Sequence, residues 1–208
     1  MAKATKKLVY GVGINDSNYN VQKFETIGCT AEGKQIRKLV WICPFYSRWK
    51  GMLERCYSKK FQQRQPTYEG CFVIPEWYYF MAFRNWMVDQ DWEGKELDKD
   101  ILFPSNKVYG PDTCVFVDQK VNKFLNDHGA GRGELPIGVC FHKSATKFAS
   151  FCNDLITGKR KYLGLFGSPK EAHQAWLTYK LSQAHMLAEE QTDPRIAAAL
   201  ISRYENYL

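Results

Sequence analysis

The segment spanning residues 97–122 most constrains how this chain can fold. It opens with an alternating stretch, and a strand here would place Asp98 and Asp100 on one face and Lys99 on the other. A turn at residues 104–106, a second strand and a helix follow. Two carboxylates on one face suit a hard divalent cation, since magnesium prefers one or two carboxylates and keeps waters that a phosphate can displace. Strands followed by a helix predict an α+β chain.

Composition favours a folded protein with a polyanionic partner. The 208 residues are 45% hydrophobic and 15% aromatic, which is enough to bury the core of one domain or of two small ones. The formal charge of +7 and the pI near 9.0 suit nucleic acid, because neutralised phosphates release condensed counterions. Charge raises this expectation only modestly, since many basic proteins bind no polyanion.

The cysteines and the N-terminus indicate where the protein works. Seven cysteines lie at irregular intervals without a CxxC pair, and the histidines form no zinc-ligand spacing with them. Reduced thiols of this kind are typical of cytosolic proteins. The N-terminus lacks the apolar stretch of a signal peptide, and no apolar run approaches the ~20 residues that span a bilayer. We expect a cytoplasmic protein without a membrane partner.

A Gly-rich segment divides the chain. Residues 127–136 combine three glycines with polar residues and a proline, which is typical of a linker. The linker separates an aromatic-rich domain at residues 1–126 from a more basic domain at residues 137–190. A last helix is expected within residues 191–208, starting near Pro194.

Two helices are expected in the N-terminal domain before the segment at residues 97–122. From Phe45, apolar residues recur at helical spacing, and the basic side chains around them suit either a solvated face or a phosphate-contacting one. A second helix should start near Pro75, which suits a first helical turn, and its apolar surface predicts burial. Residues 8–40 suggest short strands with Gly-rich turns.

Residues 137–190 predict a small sheet packed on one helix. Three short strands are expected around residues 138–143, 147–153 and 160–166. The helix that follows has a well-marked start. Ser168 is the N-cap, Pro169 takes the first helical position and Glu171 completes a capping box.

Charge and alternation make this sheet a candidate DNA-binding surface. From Ile137 to Lys170, six cationic side chains face one acidic side chain, Asp154, so the segment carries +5. We expect the side chains that point to the helix to be Val139, Phe141, Phe148 and Leu163. Alternation then directs another set outward: His142, Lys147, Asn153, Arg160 and Tyr162. Arg160 and Asn153 have side chains that read base edges. Phosphate contacts are expected from Lys143, Lys159 and Lys161.

Five phrases of the N-terminal part occur in this order in a known enzyme family: WKGMLERCY, YEGCFV, LDKDIL, NKVYGPDTCVFV and VNKF. With them the chain resembles the ββα-metal core of HNH (His-Me finger) endonucleases, especially phage-encoded homing-type enzymes. The resemblance implies that Asp98 and Asn122 hold one Mg²⁺ or Mn²⁺ ion and that Asn106 is the loop asparagine that orients the base. Lys99 stands at the position of the family's base histidine. Activation of the nucleophile is therefore open between Lys99, Asp100 and a metal-held water.

The C-terminal segment carries a second set of phrases: Gly138-Val139, Lys147-Phe148-Ala149, Gly158-Lys159-Arg160, Tyr162 to Phe166, and Glu171-Ala172. It resembles the DNA-binding domain of the plant APETALA/ethylene-response-factor type, which also forms the C-terminal half of phage HNH homing endonucleases. The resemblance implies a three-stranded sheet laid in the major groove with the helix behind it. Cys140 and Phe151 stand where the plant domains contact DNA, so their base specificity does not carry over.

Two functions follow from these patterns. The first is a metal-dependent endonuclease, homing-type or nicking, that hydrolyses a phosphodiester at a recognised site on double-stranded DNA in the host cytoplasm. The second is a catalytically degenerate relative that acts as a DNA-binding regulator or competitor. With one active site per chain, cutting both strands would require a homodimer. An RNA-binding accessory role is weaker, because no aromatic strand pair for stacking bases is visible.

Overall fold

The computed structural model describes residues 7–125 and 134–205, which belong to two compact units. The first unit ends at Phe116 and the second begins at Val117. Both contain helices and small sheets, so the expected α+β class is confirmed. Within the described residues, none of the helices is long and apolar enough to cross a membrane.

The first unit combines a two-stranded ribbon with three helices and short strands. In chain order its elements are β1 (Gln22–Cys29), β2 (Gln35–Ile42), α1 (Pro44–Tyr57), α2 (Lys59–Arg64), β3 (Phe72–Val73), α3 (Phe80–Val88), β4 (Glu96–Asp98), β5 (Val108–Tyr109) and β6 (Val115–Val117). β6 spans the boundary between the units.

Two helices supply much of the core of the first unit. α1 buries Trp49, Met52 and Leu53 completely, as their spacing predicted, and α3 does the same with Phe80 and Phe83. The ring centroids of Trp49 and Phe80 are 5.5 Å apart. Aromatic contacts at this distance stabilise the packing of the two helices beyond the area that they bury.

The helix expected from Pro75 is interrupted. A 3₁₀ turn occupies Pro75–Tyr78, and α3 begins only at Phe80. Between them Tyr79 is extended and forms a parallel β-bridge with Ile14, and Phe80 N donates to Ile14 O at 3.0 Å. Pairing with this distant segment ends the first turn, so a continuous helix was a wrong prediction.

The strand expected to carry both Asp98 and Asp100 is shorter than alternation predicted. β4 ends at Asp98, so Asp100 lies outside the strand. The turn at residues 104–106 is present, and Asn106 N donates to Phe103 O at 3.0 Å. The strand after this turn, β5, pairs in parallel with β3, whereas the partner of β4 is the later strand β6. β4 and β5 therefore pair with strands that are distant in the sequence, and a local alternation pattern cannot predict such pairs.

The second unit contains a three-stranded antiparallel sheet and three helices. Its elements are α4 (Gln119–Leu125), β7 (Val139–His142), β8 (Lys147–Asn153), β9 (Arg160–Phe166), α5 (Pro169–Glu189) and α6 (Pro194–Glu205). The strands and the start of α5 agree with the prediction. Ser168 Oγ accepts from Glu171 N at 3.2 Å and Glu171 Oε2 accepts from Ser168 N at 3.2 Å, which confirms the capping box.

The helices of the second unit pack on each other and on the sheet. Ala149 of β8 is fully buried, and α6 buries Leu200 and Tyr204. The buried Lys180 of α5 donates to Phe124 O of α4 at 2.8 Å. α4 therefore groups with this unit, whereas the sequence placed it in the N-terminal domain. Residues 127–133 of the expected linker lie outside the described residues.

Candidate functional site

Asp98 is a half-buried carboxylate at the end of β4. Its Oδ1 accepts hydrogen bonds from Asp100 N and Ile101 N, both at 2.7 Å, and these bonds turn the chain out of the strand. Burial raises the pKa of the Asp98 carboxyl above its ordinary 3.8 by more than the two amide bonds lower it. Both amide bonds are made to Oδ1, and the role of Asp98 as a metal ligand stays a prediction.

Lys99 is buried and fully engaged as a donor. Only 4% of its surface is exposed. Its Nζ donates to Asp100 Oδ1 at 2.6 Å, to Asp100 Oδ2 at 2.7 Å and to Asn106 O at 2.6 Å. An ammonium group has three N–H donors and no lone pair, so all of its hydrogen-bonding capacity is used. In this arrangement Lys99 braces the loop and offers no acceptor for a proton.

The side chain of Asn106 closes the same loop. Its Nδ2 donates to Lys99 O at 2.9 Å and to Val108 O at 2.7 Å, and its Oδ1 accepts from Val108 N at 3.1 Å. The structure thus brings together the three residues predicted to be catalytic, and Asn106 orients the backbone of Lys99. Asp100 is the accessible member, since 47% of its side chain is exposed.

The other expected metal ligand belongs to the second unit. Asn122 lies in α4, and its N–H donates to Asp118 O at 3.0 Å. Within residues 7–125 and 134–205, no group of three or more His, Cys, Asp or Glu side chains is placed to hold a metal ion. Asp98 and Asn122 thus lie in different units, and their role as metal ligands stays a prediction.

Two side chains near this loop, Tyr109 and Arg55, were not predicted to belong to the candidate site. The Tyr109 ring is buried, and its centroid lies 5.9 Å from Lys99 Nζ and 5.5 Å from the Arg55 guanidinium. Burial raises the pKa of the Tyr109 hydroxyl, which keeps it a neutral donor at physiological pH. Both residues occur in the sequence phrases that carry the family resemblance, and these phrases were the signal that could have identified them. The basic face of α1 is in part a packing feature of this site.

Two buried thiols of the first unit, Cys56 and Cys114, are not reactive groups. All seven cysteines of the chain are free, as the sequence predicted. Burial raises the pKa of Cys56 and of Cys114 to about 12. Since the thiolate is the nucleophilic and metal-binding form, these two residues are inert neutral thiols at neutral pH.

The outer face of the β7–β8–β9 sheet carries an aromatic and cationic cluster. The Arg160 guanidinium lies 4.0 Å from the centroid of the Phe151 ring, and this ring is 5.4 Å from that of Tyr162. Phe151 pairs with Tyr162 across the strands, and Asn153 pairs with Arg160. The residues predicted to point outward are all exposed: His142, Lys147, Asn153, Arg160 and Tyr162.

Other predicted contacts of this sheet occupy different positions. Lys161 Nζ lies 3.4 Å from Tyr179 OH and 4.4 Å from its ring, so Lys161 is directed toward α5. Phe141 is 48% exposed and packs on Phe148 at the end of β7, so its predicted burial against the helix is wrong. Lys143 and Lys159 are exposed in the two connections between strands.

His142 holds the connection between β7 and β8. Its Nδ1 accepts from Ala145 N at 3.3 Å and lies 3.3 Å from Ser144 Oγ. The imidazole therefore caps the 3₁₀ turn Lys143–Ala145 and helps to position Lys143. Its predicted role in DNA contact is thus joined to a structural one.

The turn before Arg160 is organised by Asp154. Its Oδ1 accepts from Thr157 N at 2.7 Å and from Thr157 Oγ1 at 2.8 Å, and Tyr179 OH donates to Oδ2. Asp154 N in turn donates to Lys159 O at 2.9 Å. These bonds hold the connection between β8 and β9, which leads directly to Lys159 and Arg160.

The Asp154 turn predicts an acid-sensitive second unit. The hydrogen bond from Tyr179, with those from Thr157, lowers the pKa of the Asp154 carboxyl from 3.8 to about 2. A lowered pKa adds stability that is complete above 3.8 and is lost as the pH falls toward 2. Tyr179→Phe should therefore lower the urea midpoint at pH 6, and this difference should shrink toward pH 2.5. The Trp176 indole resonance reports on this unit, and a pH-independent difference would contradict the assignment.

Comparisons with protein-family models, with curated proteins and with solved structures find no match to this chain. The geometry and chemistry of the described residues are therefore what support a function.

Proposed function

We propose that this protein binds double-stranded DNA through the outer face of the β7–β8–β9 sheet and hydrolyses a phosphodiester at a site marked by Asp98. The observation that supports it most strongly is the cluster that exposed Arg160 and Tyr162 form with half-buried Phe151 on that sheet face. Guanidinium groups read guanine edges and contact phosphates, and exposed rings supply apolar contacts to bases.

The chemistry of the second unit favours nucleic acid over other partners. Its segment from Ile137 to Lys170 has a net charge of +5. The same segment contains the exposed lysines Lys143, Lys147 and Lys159. Lysines in this arrangement bind phosphates and give salt-sensitive affinity, whereas Arg160 and Asn153 supply the bidentate groups that read bases. We therefore assign contacts with the DNA phosphates to the lysines and contacts with the base edges to Arg160 and Asn153.

Arg160→Ala is expected to weaken duplex binding about ten-fold, since a bidentate base contact contributes ~1–3 kcal/mol. The matched control is Lys161→Ala, which removes the same charge from the next residue but on the side of α5. We expect it to weaken binding less than about three-fold. Fluorescence anisotropy with a labelled duplex at several salt concentrations measures both. Equal losses in the two variants would mean that the outer face has no special role.

Cleavage is the second part of the proposal and depends on Asp98. A divalent ion bound there would supply a Lewis acid that stabilises the leaving oxyanion. The chain itself contributes the half-buried carboxylate of Asp98, the accessible carboxylate of Asp100 beside it, and the hydrogen bonds of Lys99 and Asn106 that hold the loop. Because Lys99 has no free lone pair, Asp100 or a metal-held water is the better candidate for activating the nucleophile.

The same hydrogen bonds of Lys99 favour the alternative of a DNA-binding protein that has lost cleavage. The side chain at the position of the family's base is tied to three acceptors and serves the loop. Incubation of purified protein with supercoiled DNA in magnesium, manganese or EDTA separates the two functions. Metal-dependent conversion to open-circle or linear DNA supports the endonuclease. Tight, salt-sensitive binding without conversion under any metal supports the degenerate regulator.

A further inference from the structure

The ribbon formed by β1 and β2 is exposed on both faces. Of the two eight-residue strands only Gln22 and Ile42 are half-buried, and every other residue is exposed. Large apolar side chains are among them: Phe24, Ile27, Ile36, Leu39, Val40 and Trp41. An isolated two-stranded hairpin is at best marginally stable in water, and apolar surface of this extent marks an interaction site.

The register divides the ribbon into two chemically different faces. Cross-strand partners share a face, so Phe24–Leu39 and Thr26–Arg37 form one, here named the Arg37 face. On it the Arg37 guanidinium lies 5.1 Å from the Phe24 ring, and it carries no acidic side chain.

The opposite face, here named the Lys38 face, has a different charge pattern. It pairs Lys23 with Trp41 and Glu25 with Lys38. Lys23 Nζ lies 5.4 Å from the Trp41 ring, and Glu25 opposes the charge of Lys38. The paired residues of each face therefore carry a net charge of +1, but only the Arg37 face has no acidic side chain among them.

We infer that the ribbon is a second DNA-contacting element and that its Arg37 face reads base edges in the major groove. This inference rests on the proposed function. The major groove admits a two-stranded ribbon, and its code is read by the side-chain types of this face: arginine for guanine, threonine for several bases and apolar groups for the thymine methyl. Residues 22–42 contain four cationic and two acidic side chains, which complements the charge of DNA.

Selection of binding sites from a random duplex library tests the inference with wild type, Arg37→Ala, Arg37→Lys and Lys38→Ala. We expect Arg37→Ala to lose preference at a guanine position and to bind the wild-type site about ten-fold more weakly. Arg37→Lys keeps the charge but should also lose that preference. Lys38→Ala removes the same charge from the neighbouring position on the other face and should keep it.

Identical selected sites for Arg37→Ala and wild type would overturn the inference. If Arg160→Ala still weakens binding in that case, the proposed function stands and only the ribbon's role falls. A second copy of the chain is the other occupant to test by sedimentation. Dimers that dissociate in Leu39→Asp, with the selected site unchanged, would assign the ribbon to self-association and overturn the inference.

Discussion

Asp98→Asn is expected to reduce metal-dependent nicking of supercoiled DNA at least about 100-fold, the order lost when one group that stabilises a developing oxyanion is removed. The asparagine Oδ1 can still accept the bonds from Asp100 N and Ile101 N, so the loop keeps its form. The variant loses the charge that a divalent cation requires. Magnesium should raise the melting temperature of wild type and leave that of the variant unchanged.

The same substitution should leave the first unit at least as stable as wild type at pH 7. Burial raises the folded pKa of the Asp98 carboxyl above 3.8, so ionisation is harder in the folded chain than in the unfolded one. This penalty is absent below pH 3.8, grows between 3.8 and the folded pKa, and is constant above it. Urea unfolding at pH 7 and pH 3.5 measures the gain, which should shrink at the lower pH.

Asp91→Asn is the matched control for both measurements. Asp91 belongs to the same unit, and its ion pair with Lys95 at 2.6 Å is on the surface, where such pairs contribute little. We expect unchanged nicking and an unchanged response to magnesium. If Asp98→Asn nicks DNA as fast as wild type does, the Asp98 carboxylate has no part in cleavage. If wild type itself binds DNA and never nicks it, the degenerate alternative holds.

Gly138→Ala is expected to destabilise the second unit by about 2–5 kcal/mol. Gly138 has a φ of +80°, where a residue with a side chain is strained by ~1–2 kcal/mol. An added Cβ would lie 2.2 Å from Trp176 Cδ1 and 2.4 Å from Cγ, and overpacking of this kind costs ~1–3 kcal/mol. Because Gly138 O also accepts from Phe151 N at 2.8 Å, the pairing of β7 should suffer and duplex affinity should fall.

Gly158→Ala separates the cost of backbone strain from the cost of a steric clash. Gly158 has a φ of +66°, but nothing lies within 4 Å of an added Cβ. This variant should therefore lose only ~1–2 kcal/mol. Urea unfolding, with hydrogen exchange of the β8 amides as the reporter, compares the two. Equal losses would show that the indole of Trp176 moves aside freely.

The second unit could be predicted from sequence because its signals are local. The three strands lie within one stretch of the chain, and Ser168, Pro169 and Glu171 mark the start of α5 within four positions. Antiparallel neighbours joined by short connections need no distant partner to define them. The outward residues therefore followed from alternation, whereas Phe141, which was expected to point to the helix, is 48% exposed.

The first unit was harder to predict because its pairings are distant. β5 pairs with β3 and Tyr79 forms a bridge with Ile14, so the helix expected from Pro75 and the strand expected to include Asp100 were only partly right. The residue types around Asp98 were recognised, but the brace of Lys99 was not. A lysine between two aspartates suggests solvent exposure by composition, and its burial depends on the loop that Asn106 closes.

The parallel pair of β3 and β5 also makes the loop after Asp98 depend on a distant part of the chain. Phe72 and Val108 must meet across the intervening chain before the loop between β4 and β5 has both of its ends in place. Closing so long a segment costs entropy before any contact compensates for it, and such contacts form late and slow folding. A peptide limited to residues 95–126 lacks β3, so it cannot reproduce the loop, and grafting this site onto another scaffold would require the α1–β3 region as well.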